Sequence, residues 1–234
     1  MKLIYQGKTK DIYELDPNIL RMMFTDRVTK NDAGEIDPGG NTLAEETVPG
    51  QGESCLFMSA AIFSEIAAKN IAATHMVSYD RQALSMDVHR ANLFKPGLEW
   101  VARWVCTGSF LRRYAMVPGV HDGLRLPSPV FEITLKDDDA GDPPIVPSAL
   151  VALGVVPTPV MDMLWAANQA TMEAIRNMFI ARGLDLWDIK IEWGLDERNM
   201  PMIIDEVSPG CCRAFKAGSM ERVTGRELAA YFQT

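Results

Sequence analysis

The stretch WDIKIEWGL, Trp187–Leu195, decides how the second half of the chain is read. As a β-strand it puts Asp188, Lys190 and Glu192 on one face and Ile189, Ile191 and Trp193 on the other, because successive side chains alternate. One face is core material; the other carries two carboxylates and an ammonium. A second strand follows in MIIDEV, Met202–Val207, which carries Asp205 and Glu206. The intervening GLDERNMP reads as the turn of an antiparallel hairpin. Up to four carboxylates and Lys190 then gather in one small area. Like charges opposite one another destabilise a sheet, so pairing with Lys190, a divalent cation or a ligand must compensate. A solvated face with Asp–Lys–Glu pairing and the floor of a metal–nucleotide site both fit this periodicity.

Basic groups able to meet such a floor occur in three other segments. In YQGKTK, Gly7 permits a tight turn and close backbone approach. Lys8 and Lys10 follow it, and strand alternation puts both on one face. Turn amides with two ammoniums suit a polyphosphate, as does a plain solvated hairpin. In RWVCTGSFLRRY, Arg103–Tyr114, an arginine ends a strand and Ser109 opens a short helix. Arg103 and Ser109 could hold a phosphate monoester, or the segment could be a capped helix with surface arginines. In SPGCCRAF, Arg213 follows the loop that leaves the carboxylate strand.

The chain has 234 residues, 47% of them hydrophobic, with a net charge of −8. This is globular composition for one large domain or two lobes. The acidic balance disfavours nucleic-acid binding, which needs a broad basic surface. No apolar run reaches the roughly 18–20 residues that span a bilayer, and MKLIYQGKTK turns polar too early for a signal peptide. Cys55, Cys106, Cys211 and Cys212 form no metal-ligand spacing and read as reduced thiols, which places the protein in the cytoplasm. His75, His89 and His121 are scattered without a nucleophile motif and read as structural or exposed.

Strands are expected at Lys2–Tyr5, Asp11–Leu15, Ile19–Phe24, Thr74–Ser78, Ser85–Asn92, Leu98–Cys106, Val130–Leu135 and the hairpin. Helices are expected at Ser54–Asn70, capped by Ser54, and at Val160–Arg182. A last helix should begin near Thr224, with Thr224 and Glu227 as a capping box. Asp26–Ser54 reads as one long loop. The fold class is α+β with two lobes, a β-rich lobe over 1–107 and a mixed lobe over 108–234, and ligands in the cleft between them.

Five segments in this order, YQGKTKDIYEL, RWVCTGSFLRRY, PSPVFEITLKDDD, DIKIEWGL and DEVSPGCCRAF, resemble those of the phosphoribosylaminoimidazole-succinocarboxamide synthase (SAICAR synthetase) family over nearly the whole chain. The resemblance implies a distantly kinase-like, two-lobed α+β enzyme, a homodimer or larger oligomer. It would use ATP and Mg2+ to join a carboxylated aminoimidazole ribonucleotide to L-aspartate. It further implies that Lys8 and Lys10, after the Gly7 turn, contact the ATP phosphates and that Lys136 lies near the adenine. Glu192 and Asp205 would sit at the nucleotide ribose and metal, with Lys190 between them. Arg103, Ser109 and Arg213 would hold the ribonucleotide phosphate, and Asp188 would face the aminoimidazole. The chain departs from the family's Ser-Pro-Asp-Gly-Ser-Arg at Gly210, Cys211 and Cys212. That change leaves room for a related amide ligase with a different azole carboxylate or amine, or for a non-catalytic nucleotide-binding relative.

Overall fold

The computed structural model describes residues 1–30, 34, 36 and 42–233. Three antiparallel strands, Lys2–Gln6, Lys10–Glu14 and Ile19–Phe24, form a meander extended by Ser85–His89 and Met76–Asp80 into a five-stranded sheet. Arg21 on the third strand faces Asp87 and is ion-paired with it, its Nε 2.7 Å from Oδ1. The turn between the first two strands is closed by the Gly7 N–H donating to the Lys10 carbonyl at 2.8 Å. A Cβ on Gly7 would lie 2.7 Å from that oxygen, so the close approach requires glycine here.

The second sheet has eight strands. Leu184–Leu195 runs through its middle, antiparallel to Leu98–Val105 on one side and to Pro201–Ile204 on the other. Beyond Leu98–Val105 come Arg125–Leu135 and Pro144–Ile145; beyond Pro201–Ile204 comes the short parallel strand Ala73–Thr74. Cys212–Lys216 pairs with the first half of Leu184–Leu195 and carries Arg222–Val223 on its outer side. The mixture of sheets with helices outside any regular βαβ repeat is the expected α+β class. After the short visit of Ala73–Thr74 to the second sheet, the chain leaves the first sheet for good between His89 and Leu98, and Leu98–Val105 pairs with Leu184–Leu195.

The apolar face of Leu184–Leu195 is covered by the helix Thr158–Ala181. Ile189, Ile191 and Trp193 are buried, as are Leu164, Met172, Ile175 and Phe179 of the helix. Each such side chain contributes about 1.5–3 kcal/mol relative to exposure. The Trp193 indole N–H donates to Asn168 Oδ1 at 3.1 Å, which pairs two buried polar atoms across the helix–sheet contact. The same packing holds the opposite strand face, with its charges, away from the core.

Several expected elements differ. The region 26–54 is not one loop: Arg27–Lys30 and Thr42–Thr47 form a hairpin, and residues 31–33, 35 and 37–41 lie outside the described residues. The first long helix spans Gln51–Ala68 and is entered through Gly50, in the left-handed region at φ 82. Ser54 lies inside the helix, where its hydroxyl donates back to the Gly50 carbonyl instead of capping. The last helix, Gly225–Ala230, starts after Thr224 as expected, but the Thr224 side chain makes no capping hydrogen bond. Asp205 and Glu206 were expected inside a strand. The strand stops at Ile204, because Asp205 turns to φ 63, a left-handed conformation that cannot continue a sheet.

Candidate active site

The charged face of Leu184–Leu195 separates into two clusters about 13 Å apart along the strand, four residues at roughly 3.3 Å each. Asp188 lies in one, Glu192 in the other, and Lys190 sits between them in sequence.

At the Asp188 end, strand register brings Arg103 opposite Asp188 on one side and Arg213 opposite it on the other. Arg103 Nη1 and Arg213 Nη1 both donate to Asp188 Oδ2, at 3.1 and 2.5 Å. The planar Arg103 guanidinium also donates from Nε to Glu132 Oε2 at 2.5 Å and from Nη2 to Ser109 Oγ at 3.0 Å. Arg103 is only 3% exposed, so this fork is a buried charged network. Arg113 donates to the other Glu132 oxygen. Gly108, at φ 56, lets Arg213 lie against the chain: a Cβ there would fall 2.6 Å from the guanidinium. Three arginines face two carboxylates, which leaves a net positive corner beside the Ser109 hydroxyl.

At the Glu192 end, Lys10 crosses from the first sheet. Its Nζ lies 2.9 Å from Asp205 and 2.7 Å from Glu206. Burial opposes the Lys10 charge, but the two carboxylates outweigh it and hold its pKa well above the ordinary value. Burial likewise disfavours the Asp205 charge, yet Lys10, Lys136 and Lys190 bring its pKa down to about 2. Lys136 Nζ donates to Glu192 at 2.7 Å. Lys190 Nζ donates to Glu99 at 2.6 Å. Glu99 and Glu192 stand directly opposite across the strand pair, a repulsive arrangement that the two lysines offset. Lys8 lies in the bend before the second strand rather than in it, so strand alternation does not govern it; it pairs with Asp138 at 2.6 Å on the surface.

The structure thus brings Lys10, Lys136, Lys190, Glu192 and Asp205 together, and separately Arg103, Ser109, Asp188 and Arg213. Gly7 shapes the Lys10 turn, and Lys8 stands apart at the rim. The sequence assigns no site role to Glu99 or Glu132, and it places Glu206 only among the carboxylates of the charged hairpin. Alternation in LEWVARWV puts Glu99, Val101 and Arg103 on one face, a signal that could have identified Glu99.

Among the described residues, no three His, Cys, Asp or Glu side chains are grouped to hold a metal alone. A cation at Glu192 and Asp205 would need further oxygens from a ligand, which is how Mg2+ binds beside nucleotide phosphates. Burial and the Asp205 charge push the Glu192 pKa up, and Glu206 Oε2 is buried without a hydrogen-bond partner. A corner with that surplus of oxygen charge fits an added cation.

The departing loop borders this end. Cys211 Sγ lies 3.5 Å from the Glu206 carbonyl and 3.6 Å from Ser208 Oγ. Burial, then the Glu206 charge, pushes its pKa up to about 11. Cys211 is therefore a neutral thiol at pH 7. Its alkylation by iodoacetamide should be slow there and rise about tenfold per pH unit toward pH 11. Mass spectrometry of the Cys211 peptide checks this; rapid modification at pH 7 would contradict it. A separate cavity of about 410 Å3, lined by Phe57, Glu65, Arg81, Arg182 and Phe232 among others, contains none of these site residues.

The model of the SAICAR synthetase family matches residues 3–229. A phosphoribosylaminoimidazole-succinocarboxamide synthase of Clostridium tetani is 36% identical over 219 residues, covering 93% of this chain and 94% of that protein. A SAICAR synthetase (type 2) solved in complex with ADP superimposes with a TM-score of 0.80 at 26% identity, covering 97% of this chain and 93% of that one. The synthase of Ehrlichia chaffeensis shares the fold with a TM-score of 0.82 at 22% identity, covering 99% and 92% of the two chains.

Proposed function

The chain belongs to the SAICAR synthetase family, the ATP-dependent ligases of purine biosynthesis, and from that premise we propose how its two charged clusters divide the work. A carboxylate resists attack by an amine. Transfer of the ATP γ-phosphoryl group to the azole carboxylate gives an acyl phosphate and ADP. The amine of L-aspartate then attacks the acyl carbon, and inorganic phosphate leaves with the former carboxylate oxygen. Phosphoryl transfer of this kind asks for positioning and charge neutralisation more than for covalent help.

Lys10, with Lys8 at the rim, neutralises the ATP phosphates, and Lys136 flanks the adenine. Glu192 and Asp205 take the ribose and the cation; Mg2+ bound there supplies charge neutralisation at the transferring phosphoryl group. Lys190, held by Glu99, keeps a positive charge between the nucleotide end and the azole end. Arg103, Ser109 and Arg213 hold the ribonucleotide phosphate, and Asp188, already oriented by two guanidiniums, faces the aminoimidazole. The observation that supports this division most is the reach of Lys10 from the first sheet to Asp205 and Glu206 beyond the second, within 2.9 Å of both.

The reading includes small-molecule partners only, a homo-oligomer of this chain, and a cytoplasmic setting consistent with four free thiols. No helix among the described residues is long and apolar enough to cross a membrane. ADP release with carboxyaminoimidazole ribonucleotide and L-aspartate tests the function. Turnover should require all three substrates. Turnover with another amine or azole carboxylate, and none with L-aspartate, would move the enzyme to a related amide ligase and link the Gly210–Cys212 departure to the acceptor. One residue-level outcome follows from the Asp188 corner. Arg213→Ala should raise the ribonucleotide KM at least about tenfold, the loss of one charged hydrogen bond, and leave the ATP KM unchanged, because Arg103 still holds Asp188. An equal rise in both KM values would contradict the assignment.

A further inference from the structure

Asp205 holds a backbone conformation that favours glycine, φ 63, in the position where its carboxylate meets Lys10. A side chain makes that region less favourable than it is for glycine, so contacts around the residue help to keep it there. One group that meets this turn directly is His75. The His75 ring Nε2 lies 2.9 Å from the Asp205 carbonyl oxygen. A carbonyl only accepts, so Nε2 carries the proton and donates.

His75 is itself fixed from three sides. Its N–H donates to the Ile203 carbonyl at 2.9 Å, and its carbonyl accepts from the His89 N–H at 2.8 Å. Its ring stands edge-on to Phe63, with centroids 5.6 Å apart. It lies between Ala73–Thr74, in the second sheet, and Met76–Asp80, in the first. The two contacts to Ile203 and His89 therefore tie it to both sheets at once. His75 is 4% exposed, out of reach of a substrate. On the far side of the same turn, the Val207 N–H donates to Ser59 Oγ at 3.1 Å.

We propose that His75 is a positioning residue: as the Nε2–H tautomer it locks the left-handed turn at Asp205 and so aims the Asp205 carboxylate at the cation and at Lys10. The inference rests on the assignment of Asp205 to the Mg2+·ATP end. It assigns a role to a histidine that sequence reading left as structural or exposed. The lock acts through the backbone, so its loss should alter how well the carboxylate is aimed without touching the Arg103–Arg213 corner.

The test joins two variants with one measurement on the unaltered protein. In His75→Phe the ring and its packing on Phe63 remain but the donor is lost. Its kcat/KM for Mg2+·ATP should fall at least tenfold, and its affinity for Mg2+·ADP by titration calorimetry should fall in parallel. The KM for the ribonucleotide should stay within twofold. His75→Gln, whose side-chain amide can donate to the same carbonyl, should recover to within about threefold of the unaltered enzyme. In the unaltered protein, 15N spectra of the three imidazoles should show His75 as the Nε2–H tautomer. Equal behaviour of the two variants, wild-type nucleotide affinity in His75→Phe, or an Nδ1–H tautomer would each overturn the inference. Asp205→Ala serves as the reference. If it loses Mg2+·ADP affinity while His75→Phe does not, only the lock is wrong. If it binds as the unaltered enzyme does, the metal assignment falls and the lock with it.

Discussion

Lys10→Ala is expected to reduce turnover by about three orders of magnitude, ~4 kcal/mol of transition-state stabilisation, in a protein that still folds. The ammonium is 11% exposed at the side chain and sits within 2.9 Å of Asp205 and Glu206. In the proposed reaction it is the one buried cation that reaches the phosphates from the first sheet. Removing it also leaves the Glu206 carboxylate, already with one oxygen unpartnered, without its cation. Some loss of stability should therefore accompany the loss of rate, and circular dichroism at the assay temperature separates the two. Asp205→Ala should abolish turnover to a similar extent by removing the proposed cation ligand while Glu206 keeps Lys10 in place. Wild-type ADP release from either variant would contradict the assignment of this end to the nucleotide.

Arg103→Leu is the second large effect, and here stability comes first. One guanidinium, 3% exposed, serves Glu132, Asp188 and Ser109 together. Deleting one partner of a buried charge network costs about 3–5 kcal/mol, because the carboxylates left behind stay desolvated. Asp188 would keep Arg213 and Glu132 would keep Arg113, which places the loss toward the lower end. For a chain of this size that is a fall in Tm on the order of 10 °C. Ribonucleotide binding should be lost as well, while Mg2+·ADP affinity is retained. Arg103→Lys should not rescue, since a single ammonium cannot span three acceptors with a planar fork. A Tm within 2–3 °C of the unaltered protein, under ~1 kcal/mol for a chain of this length, would show that the network is solvated rather than buried.

Much of the fold was legible because its strands are amphipathic or wholly apolar. Ile19–Phe24 follows from its position after the turn signal Asp16-Pro17-Asn18, and the central hairpin follows from the alternation around Asp188, Lys190 and Glu192. Thr42–Thr47 was not legible: five of its six residues are exposed, so no buried face imposes a period-two pattern. The start of the first long helix was misread because Ser54 has the chemistry of a cap, whereas the chain actually turns at Gly50 through a left-handed residue.

The candidate site was legible where charges interrupt apolar runs, as with Asp188 and Asp205. Spacing could not indicate how those charges sort. Asp188 joins the arginines because register in two strand pairs places Arg103 and Arg213 on either side of it. Glu206 turns to Lys10 because the strand ends at Ile204 and the chain turns at Asp205, at a φ that sequence does not display. His75 carried no pattern at all. A lone histidine in a short connecting segment gains meaning only when the carbonyl it meets is known.

The most direct measurement is a crystal structure of the protein with Mn2+ in place of Mg2+ and a non-hydrolysable ATP analogue, read by anomalous scattering from the metal. The account predicts a metal peak between the Glu192 and Asp205 carboxylates, with the analogue's phosphates reaching Lys10. A peak elsewhere in the molecule, or phosphates bound away from Lys10, would contradict it.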